Sequence, residues 1–302
     1  MKSFVAVAIL IPVFSTCAAA SIQGSFDRTY QVSGAVDMEV FTHSGDITLR
    51  TGPAGTVKIS GKIHVGDGWF NGNHQEEVSQ IEKSPPIRQN GNSIRIENVD
   101  VRDVSVDYEI TVPADTALRT HTGSGDQSIH GLNKPIELES GSGDMRLREL
   151  AGGVRLHTGS GDVEAREISG AFHAETGSGD IRLDEKSSGD VLVHTGSGDV
   201  ELRGVNGSLL AETGSGEVRV TGTQNGTWEL RTHSGNVEIQ LPANSAFDLD
   251  ATTASGEVVV DRPVTMIVQG RVAETRREVR GQVGSGGPRL IVHTGSGDVH
   301  IE

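Results

Sequence analysis

Cysteine, aromatic residues and long apolar runs are all scarce in this chain. Its single cysteine, Cys17, has no partner for an intrachain disulfide. Aromatic residues make up only 4% of the sequence, which is few for a protein that stacks against carbohydrate rings. Beyond residue 20 no apolar run is long enough to cross a bilayer as a helix. These absences argue against a disulfide scaffold and against a helical membrane protein.

Positive charge is scarce as well. The sequence has 26 lysine and arginine residues against 41 aspartate and glutamate residues, which gives a net charge of −15 at pH 7. Such an acidic surface disfavours nucleic acid and anionic lipid, and it favours cations or basic partners. Glycine is abundant, with 40 residues, but the glycines recur periodically, so their number does not indicate disorder.

The first twenty residues have the pattern of a secretory signal peptide. Lys2 is followed by an apolar run over residues 5–14 and then by Ala18-Ala19-Ala20. Cleavage after Ala20 would remove Cys17 and leave a mature chain with no cysteine and no transmembrane segment. The alternative is a lipoprotein acylated at Cys17, although residues 14–16 match the usual lipoprotein pattern poorly. We therefore expect an exported protein that is periplasmic, bound to the outer envelope or secreted.

A short phrase, Thr-Gly-Ser-Gly-Asp, recurs along the chain with small variations. Its acidic position returns roughly every 18 residues, a period typical of stacked structural units that each bury an apolar face on their neighbours. The acidic position holds Asp126, Asp144, Asp162, Asp180, Asp199, Glu217, Asn236, Glu257 and Asp298.

The residues on both sides of the acidic position alternate between apolar and polar, as in β-strands with one buried face. Two outward positions also alternate in charge; one holds Arg146, Glu164 and Arg182, and the other holds His121, Glu139 and His157. Like charges stacked about 4.8 Å apart would repel, so this alternation indicates coils that pair in parallel register. We therefore predict an all-β fold, a single-stranded parallel β-helix (β-solenoid) with right-handed coils of about 18 residues.

The repeat pattern divides the chain into four segments. Residues 1–20 are the signal peptide, and residues 21–115 are expected to form irregular N-terminal coils and a cap. Residues 116–258 carry the regular solenoid repeats, and residues 259–302 carry an insertion loop and the last coil. Because each coil contacts only its neighbours, residues 21–302 can form one continuous solenoid domain.

The chain resembles the bacterial putative-adhesin family of exported β-solenoid domains of unknown function. The likeness rests on the serial Thr-Gly-Ser-Gly-Asp-Val-x-Leu units, on Val112-Pro113 before the first regular coil, and on the closing unit over residues 284–301. It implies a parallel β-helix, placement in the cell envelope or at the surface, and no established enzyme activity. The family has no established functional residues, so none can be assigned here by resemblance.

Five aspartates of the repeat are the strongest candidate site, because this position keeps its negative charge while the neighbouring positions alternate. We call Asp126, Asp144, Asp162, Asp180 and Asp199 the Asp row. One interpretation is that each carboxylate caps backbone N–H groups of its own Gly-Ser-Gly turn, with no cofactor involved. The other is a row of Ca²⁺ sites, since carboxylate and carbonyl oxygens are the ligands that calcium prefers. On either interpretation we expect the carboxylates to be stacked without compensating charge.

No catalytic residues are predicted. Polysaccharide-cleaving enzymes also use parallel β-helices, and this is the enzyme alternative, but a repeated carboxylate does not supply the single asymmetric pair that such chemistry needs. We expect a non-enzymatic adhesin-like or structural protein whose partner is an envelope polymer, a basic protein or another copy of itself. The adjacent aromatics Trp69 and Phe70 lie in a glycine-rich loop and either contact a partner or plug the end of the solenoid.

Overall fold

The structure is a computed structural model that describes residues 22–66, 74–265 and 277–302. The expected signal peptide, with Cys17, and the aromatic pair Trp69 and Phe70 lie outside these residues. The described part of the chain forms 27 β-strands and one helix, α1 (Gln75–Lys83). Within it, no helix is both long and apolar enough to span a membrane.

The strands are short, and most of those in the regular repeats have four to seven residues. In chain order they are β1 Ile22–Gln31, β2 Val36–Ser44, β3 Ile47–Thr51, β4 Thr56–Val65, β5 Ile87–Asn90, β6 Ser93–Ile96, β7 Val104–Val112, β8 Thr116–Ser124, β9 Gln127–His130, β10 Ile136–Ser142, β11 Met145–Arg148, β12 Val154–Ser160, β13 Val163–Ser169, β14 Phe172–Ser178, β15 Ile181–Ser187, β16 Val191–Ser197, β17 Val200–Val205, β18 Leu209–Ser215, β19 Val218–Gly222, β20 Trp228–Ser234, β21 Val237–Gln240, β22 Phe247–Ser255, β23 Val258–Val260, β24 Val264–Thr265, β25 Glu278–Val283, β26 Arg289–Ser296 and β27 Val299–Ile301.

These strands form two large, mostly parallel sheets, which confirms the predicted β-solenoid. Sheet A has the order β1-β4-β7-β3-β9-β11-β13-β15-β17-β19-β21-β27-β23, and sheet B has the order β24-β25-β22-β26-β20-β18-β16-β14-β12-β10-β8-β2-β6-β5. Each regular coil contributes one strand to each sheet. Equivalent residues of neighbouring coils lie opposite one another, as Ile136 does to Val154 and Val163 does to Ile181. The coil is therefore two-sided, and the predicted register is confirmed.

The space between the sheets holds the apolar residues that flank the repeated turn. Leu118 and Val154 are each 3% exposed, and Val163 and Ile181 are fully buried. The threonines before the turn are buried too, and their hydroxyls donate to backbone carbonyls at the corner, as Thr195 does to Gly179 O at 3.0 Å. Aliphatic packing and corner hydrogen bonds thus repeat from coil to coil.

Glycine is required at the turn because the coils stack so closely there. Gly161 has a φ of 150°, and a Cβ at this position would lie 2.1 Å from the carbonyl oxygen of Gly143 in the adjacent coil. No side chain fits in that space, so the repeat keeps glycine at this position in every regular coil.

The coils are not stacked in the order in which they occur along the chain. Strands β26 and β27, the last in sequence, lie between β20–β21 and β22–β23. At the other end β3 lies beside β9, with β7 outside it, and β1 and β4 pair antiparallel beyond β7. Helix α1 covers this end and buries Val78 and Ile81 against the core. The strand β25 covers β22 at the opposite end of sheet B.

Candidate functional site

The Asp row lies at the sharp corner of the coils and links each coil to the next. Oδ1 of Asp126 accepts a hydrogen bond from the backbone N–H of Asp144 at 3.0 Å, and Oδ1 of Asp144 accepts one from Asp162 at 3.0 Å. The same contact joins Asp162 to Asp180 and Asp180 to Asp199 at 2.9 Å. The predicted capping of each aspartate's own turn is therefore wrong, since each carboxylate caps the turn of the adjacent coil.

Each carboxylate accepts from the adjacent coil because the N–H groups of its own turn already donate to carbonyls of that coil. The N–H of Gly143 donates to Ser160 O at 3.0 Å, and the N–H of Met145 donates to Asp162 O at 2.8 Å. Between these two bonds lies the N–H of Asp162, and its acceptor is a carboxylate oxygen of Asp144 instead of a carbonyl. The Asp row thus continues the backbone ladder around a corner that would otherwise interrupt it.

The same ladder of hydrogen bonds continues beyond the five residues of the Asp row. Asp46 accepts from the N–H of Asp126 at 2.9 Å, and Asp107 accepts from the N–H of Asp46 at 2.9 Å. At the other end Asn236 accepts from the N–H of Asp298 at 2.9 Å, so a neutral amide oxygen also serves. The motif missed Asp107 because no Gly-Ser-Gly turn precedes it; the apolar alternation of β7 was the only available signal.

The expectation that these carboxylates lack compensating charge is wrong for part of the row. Arg146 donates to Oδ2 of Asp126 and to Oδ2 of Asp144, each at 2.8 Å, and Arg182 donates to Asp180 at 2.7 Å. The hydrogen bond from Arg146 lowers the pKa of Asp126 below its usual value, although partial burial opposes this. These arginines belong to the outward position that alternates in charge, so they are present only in every second coil.

The arrangement leaves two kinds of place where a cation could bind. Asp162 and Asp199 have no arginine, lysine or histidine nitrogen within 4 Å among the described residues, whereas a guanidinium already fills that role elsewhere in the row. Separately, Asp261, His300 and Glu302 at the end of sheet A offer ligand atoms that all lie within 4.8 Å of one another. The calcium hypothesis for the Asp row stays a prediction.

The histidines of the second alternating position pair with acidic neighbours in adjacent coils. His121 lies 2.9 Å from Glu139, and His157 lies 3.5 Å from Glu175. These are the contacts expected of a charge-alternating surface.

A second row, on the outer face of sheet A, was not predicted. Arg50, His130, Arg148 and Arg166 lie opposite one another on β3, β9, β11 and β13, and all four are exposed. We call these four residues the basic row. The sequence signal was a basic residue at the fourth position after Asp46, Asp126, Asp144 and Asp162, but it becomes apparent only when β3 is placed beside β9.

A third feature is a buried carboxyl at the second corner of one coil. Glu185 pairs in register with Ile168, and it is 6% exposed, whereas Ile168 and Val205 are buried apolar residues. Its Oε2 accepts from the N–H of Asn206 at 3.1 Å, and its Oε1 has no partner among the described residues. Burial raises the pKa of Glu185 to about 7; the N–H of Asn206 opposes this rise, and the charge of Asp190 adds to it.

Comparison with known proteins identifies the family and shows only distant likeness to solved structures. A family model described as Toastrack DUF4097 matches residues 105–302. No curated protein matches the chain. A structure titled putative cell adhesion protein, from Clostridium sporogenes, is 12% identical with a TM-score of 0.22, and the alignment covers 92% of this chain and 98% of that one.

Two further structures have similar coverage. A putative adhesin from Bacteroides fragilis is 12% identical with a TM-score of 0.38, over 93% of this chain and 98% of that one. A protein titled putative lipid binding protein, from Parabacteroides distasonis, is 11% identical with a TM-score of 0.37, over 93% of this chain and 97% of that one. Likeness at this level carries no argument about ligand or activity.

Proposed function

This chain belongs to the Toastrack DUF4097 family, a domain family of unknown function, and we propose that it is an exported, non-enzymatic scaffold of the cell envelope with adhesin-like binding. Its partner would be an envelope polymer, a basic protein or another copy of the chain. The signal-peptide pattern of residues 1–20 supports export, and the proposed location is the periplasm, the outer envelope or the exterior.

One observation carries the binding proposal: charged side chains on the outer faces are held in register from coil to coil. Arg119 lies 2.7 Å from Glu39 and 3.1 Å from Glu137, so it bridges two neighbouring strands. Arg231 likewise lies 2.8 Å from Glu212 of the adjacent coil. Such contacts contribute little stability when exposed, but they restrain the side chains at strand spacing. A restrained, repeated surface suits a repeated or extended partner.

Export is tested by fractionating cells that produce the full-length chain and by measuring the intact mass of the recovered protein. The proposal expects the protein in an exported fraction with a mass that corresponds to cleavage after Ala20. A lipid-modified mass would support the alternative through Cys17. Recovery of the uncleaved chain from the cytoplasm would contradict export.

Binding is tested by immobilising the mature protein and applying separated glycan and protein fractions of the envelope, with and without chelator. A binding scaffold predicts retention of one fraction, with graded loss as outward charges of several coils are substituted. The glycan-cleaving alternative predicts turnover that a single carboxylate substitution abolishes. Retention of neither fraction would contradict the binding proposal.

A further inference from the structure

The basic row places three arginines and a histidine side by side on a protein of strongly negative net charge. Register pairs Arg50 with His130, His130 with Arg148 and Arg148 with Arg166. Neighbouring strands lie about 4.8 Å apart, so the row extends for about 14 Å across four strands. The full sequence nevertheless has a net charge of −15. The row is therefore a run of basic side chains on an otherwise acidic protein.

Stacking alone does not explain this row. The adjacent outward position on the same strands alternates in charge, with Arg146 opposite Glu164 and Glu164 opposite Arg182. Like charges directly opposite one another in a sheet are destabilising, and Arg148 opposite Arg166 is such a pair. Local rules of this kind are most often broken where a surface has a function.

The acidic residues beside the row compensate it only in part. Glu149 lies 3.2 Å from His130 and 3.6 Å from Arg148, and Glu167 lies 3.4 Å from Arg148. Arg166, which is 64% exposed, forms an ion pair with Glu164. Arg148 is 61% exposed, so these contacts leave much of its guanidinium open to solvent. Arg50 has no carboxylate within 4 Å in the part of the chain that the structure describes.

Three residues of the row, His130, Arg148 and Arg166, line an open surface groove with a volume of about 520 Å³. The groove is also lined by Arg146, and its acidic side chains are Glu149 and Glu164. Arginines thus outnumber carboxylates in this recess, which is open to solvent along the strands.

We propose that the basic row binds the carboxylate groups of an acidic, uronate-containing polysaccharide laid across the strands of sheet A. The proposal rests on the binding function proposed above and names the ligand class. Guanidinium groups bind carboxylates in a bidentate fashion, and several weak contacts along one polymer add up through avidity. A polymer with one charge per sugar meets less repulsion from the acidic remainder of the surface than a densely charged phosphate polymer does.

The experiment is calorimetric titration of the mature protein with oligogalacturonate at low salt. A neutral oligosaccharide of similar length and inorganic polyphosphate are titrated in parallel. The test variant carries Arg148→Gln and Arg166→Gln. The matched control carries Arg280→Gln and Arg289→Gln, which removes the same charge from sheet B. A third variant, with Arg148→Lys and Arg166→Lys, keeps the charge but loses the bidentate geometry.

The proposal expects the wild type and the control variant to bind oligogalacturonate with affinities within about twofold of each other. The glutamine variant should lose at least about tenfold in affinity, and the lysine variant should fall between the two. Binding should weaken as salt is raised. Unchanged melting temperatures would show that the variants remain folded.

Three results would overturn the assignment. They are the absence of oligogalacturonate binding by the wild type, equal loss in the test and control variants, and binding of polyphosphate at equal or higher affinity. If the wild type ignores oligogalacturonate yet still retains an envelope fraction, the ligand assignment fails while the proposed binding function stands. If it retains no fraction either, both fail.

Discussion

Glu185 makes the stability of this protein depend on pH in a way that can be measured. The carboxyl takes the place of an apolar residue at a corner of the stack, where it is only 6% exposed. Ionisation there places a charge in a site that burial and the nearby carboxylate of Asp190 both disfavour. We expect Glu185→Gln, which resembles the protonated carboxyl, to relieve this penalty.

The direction follows from the pKa in each state. Because the pKa of Glu185 is raised from 4.5 to about 7 by folding, the native state binds its proton more tightly than the unfolded chain does. The part of the unfolding free energy that depends on Glu185 is therefore fully present below pH 4.5 and is lost as the pH rises toward 7. Above pH 7 the full penalty is present, and it amounts to about 3 kcal/mol. Glu185→Gln should match the wild type at pH 4 and exceed its unfolding free energy by about 3 kcal/mol at pH 8.5.

The assay is urea unfolding followed by circular dichroism at pH 4.0, 5.5, 7.0 and 8.5. The control is Glu201→Gln, because Glu201 is a partly exposed carboxylate that pairs with Arg203 on the surface of the adjacent coil. This control should change stability by less than about 1 kcal/mol, with little dependence on pH between 5.5 and 8.5. A difference between Glu185→Gln and the wild type that stays constant across this pH range would refute the reasoning.

Three further predictions concern the corner. Asp162→Ala should destabilise the protein by about 1–2 kcal/mol in urea unfolding, whereas Asp162→Asn should cost less than about 0.5 kcal/mol because Asn236 already fills the same role; equal losses would contradict the ladder. Gly161→Ala should lower the unfolding free energy by about 3 kcal/mol or more, because its Cβ would overlap a backbone carbonyl. Gly91→Ala should lower it by about 1 kcal/mol, since open space surrounds Gly91. Similar melting temperatures for the two variants would contradict this explanation. Calorimetry of chelator-treated protein with Ca²⁺ should show no saturable heat, because each carboxylate of the Asp row, Asp162 and Asp199 included, already accepts a backbone N–H of the adjacent coil. A saturable heat with a raised melting temperature would instead establish the calcium alternative.

The candidate site was predictable in its position and not in its chemistry. The repeat located the Asp row correctly at the sharp corner, and alternation at the outward positions indicated the parallel register. The repeat could not show that each carboxylate accepts a hydrogen bond from the adjacent coil, because an acceptor next to a turn can reach the N–H groups of either its own turn or the stacked one. The burial of Glu185 was visible only as a carboxylate where neighbouring coils have Ile168 and Val205.

The sequence by itself determined the coil: its length, its two buried faces and the glycine at its corner. These follow from side-chain periodicity and from turn geometry, which act over a few residues. Only the tertiary structure decided which coils are neighbours. Repeats present nearly the same apolar face, so Leu290 can stack between Trp228 and Leu249 although it follows both in sequence. Only the three-dimensional stack shows this order, and it is what brings Arg50 beside His130 to form the basic row.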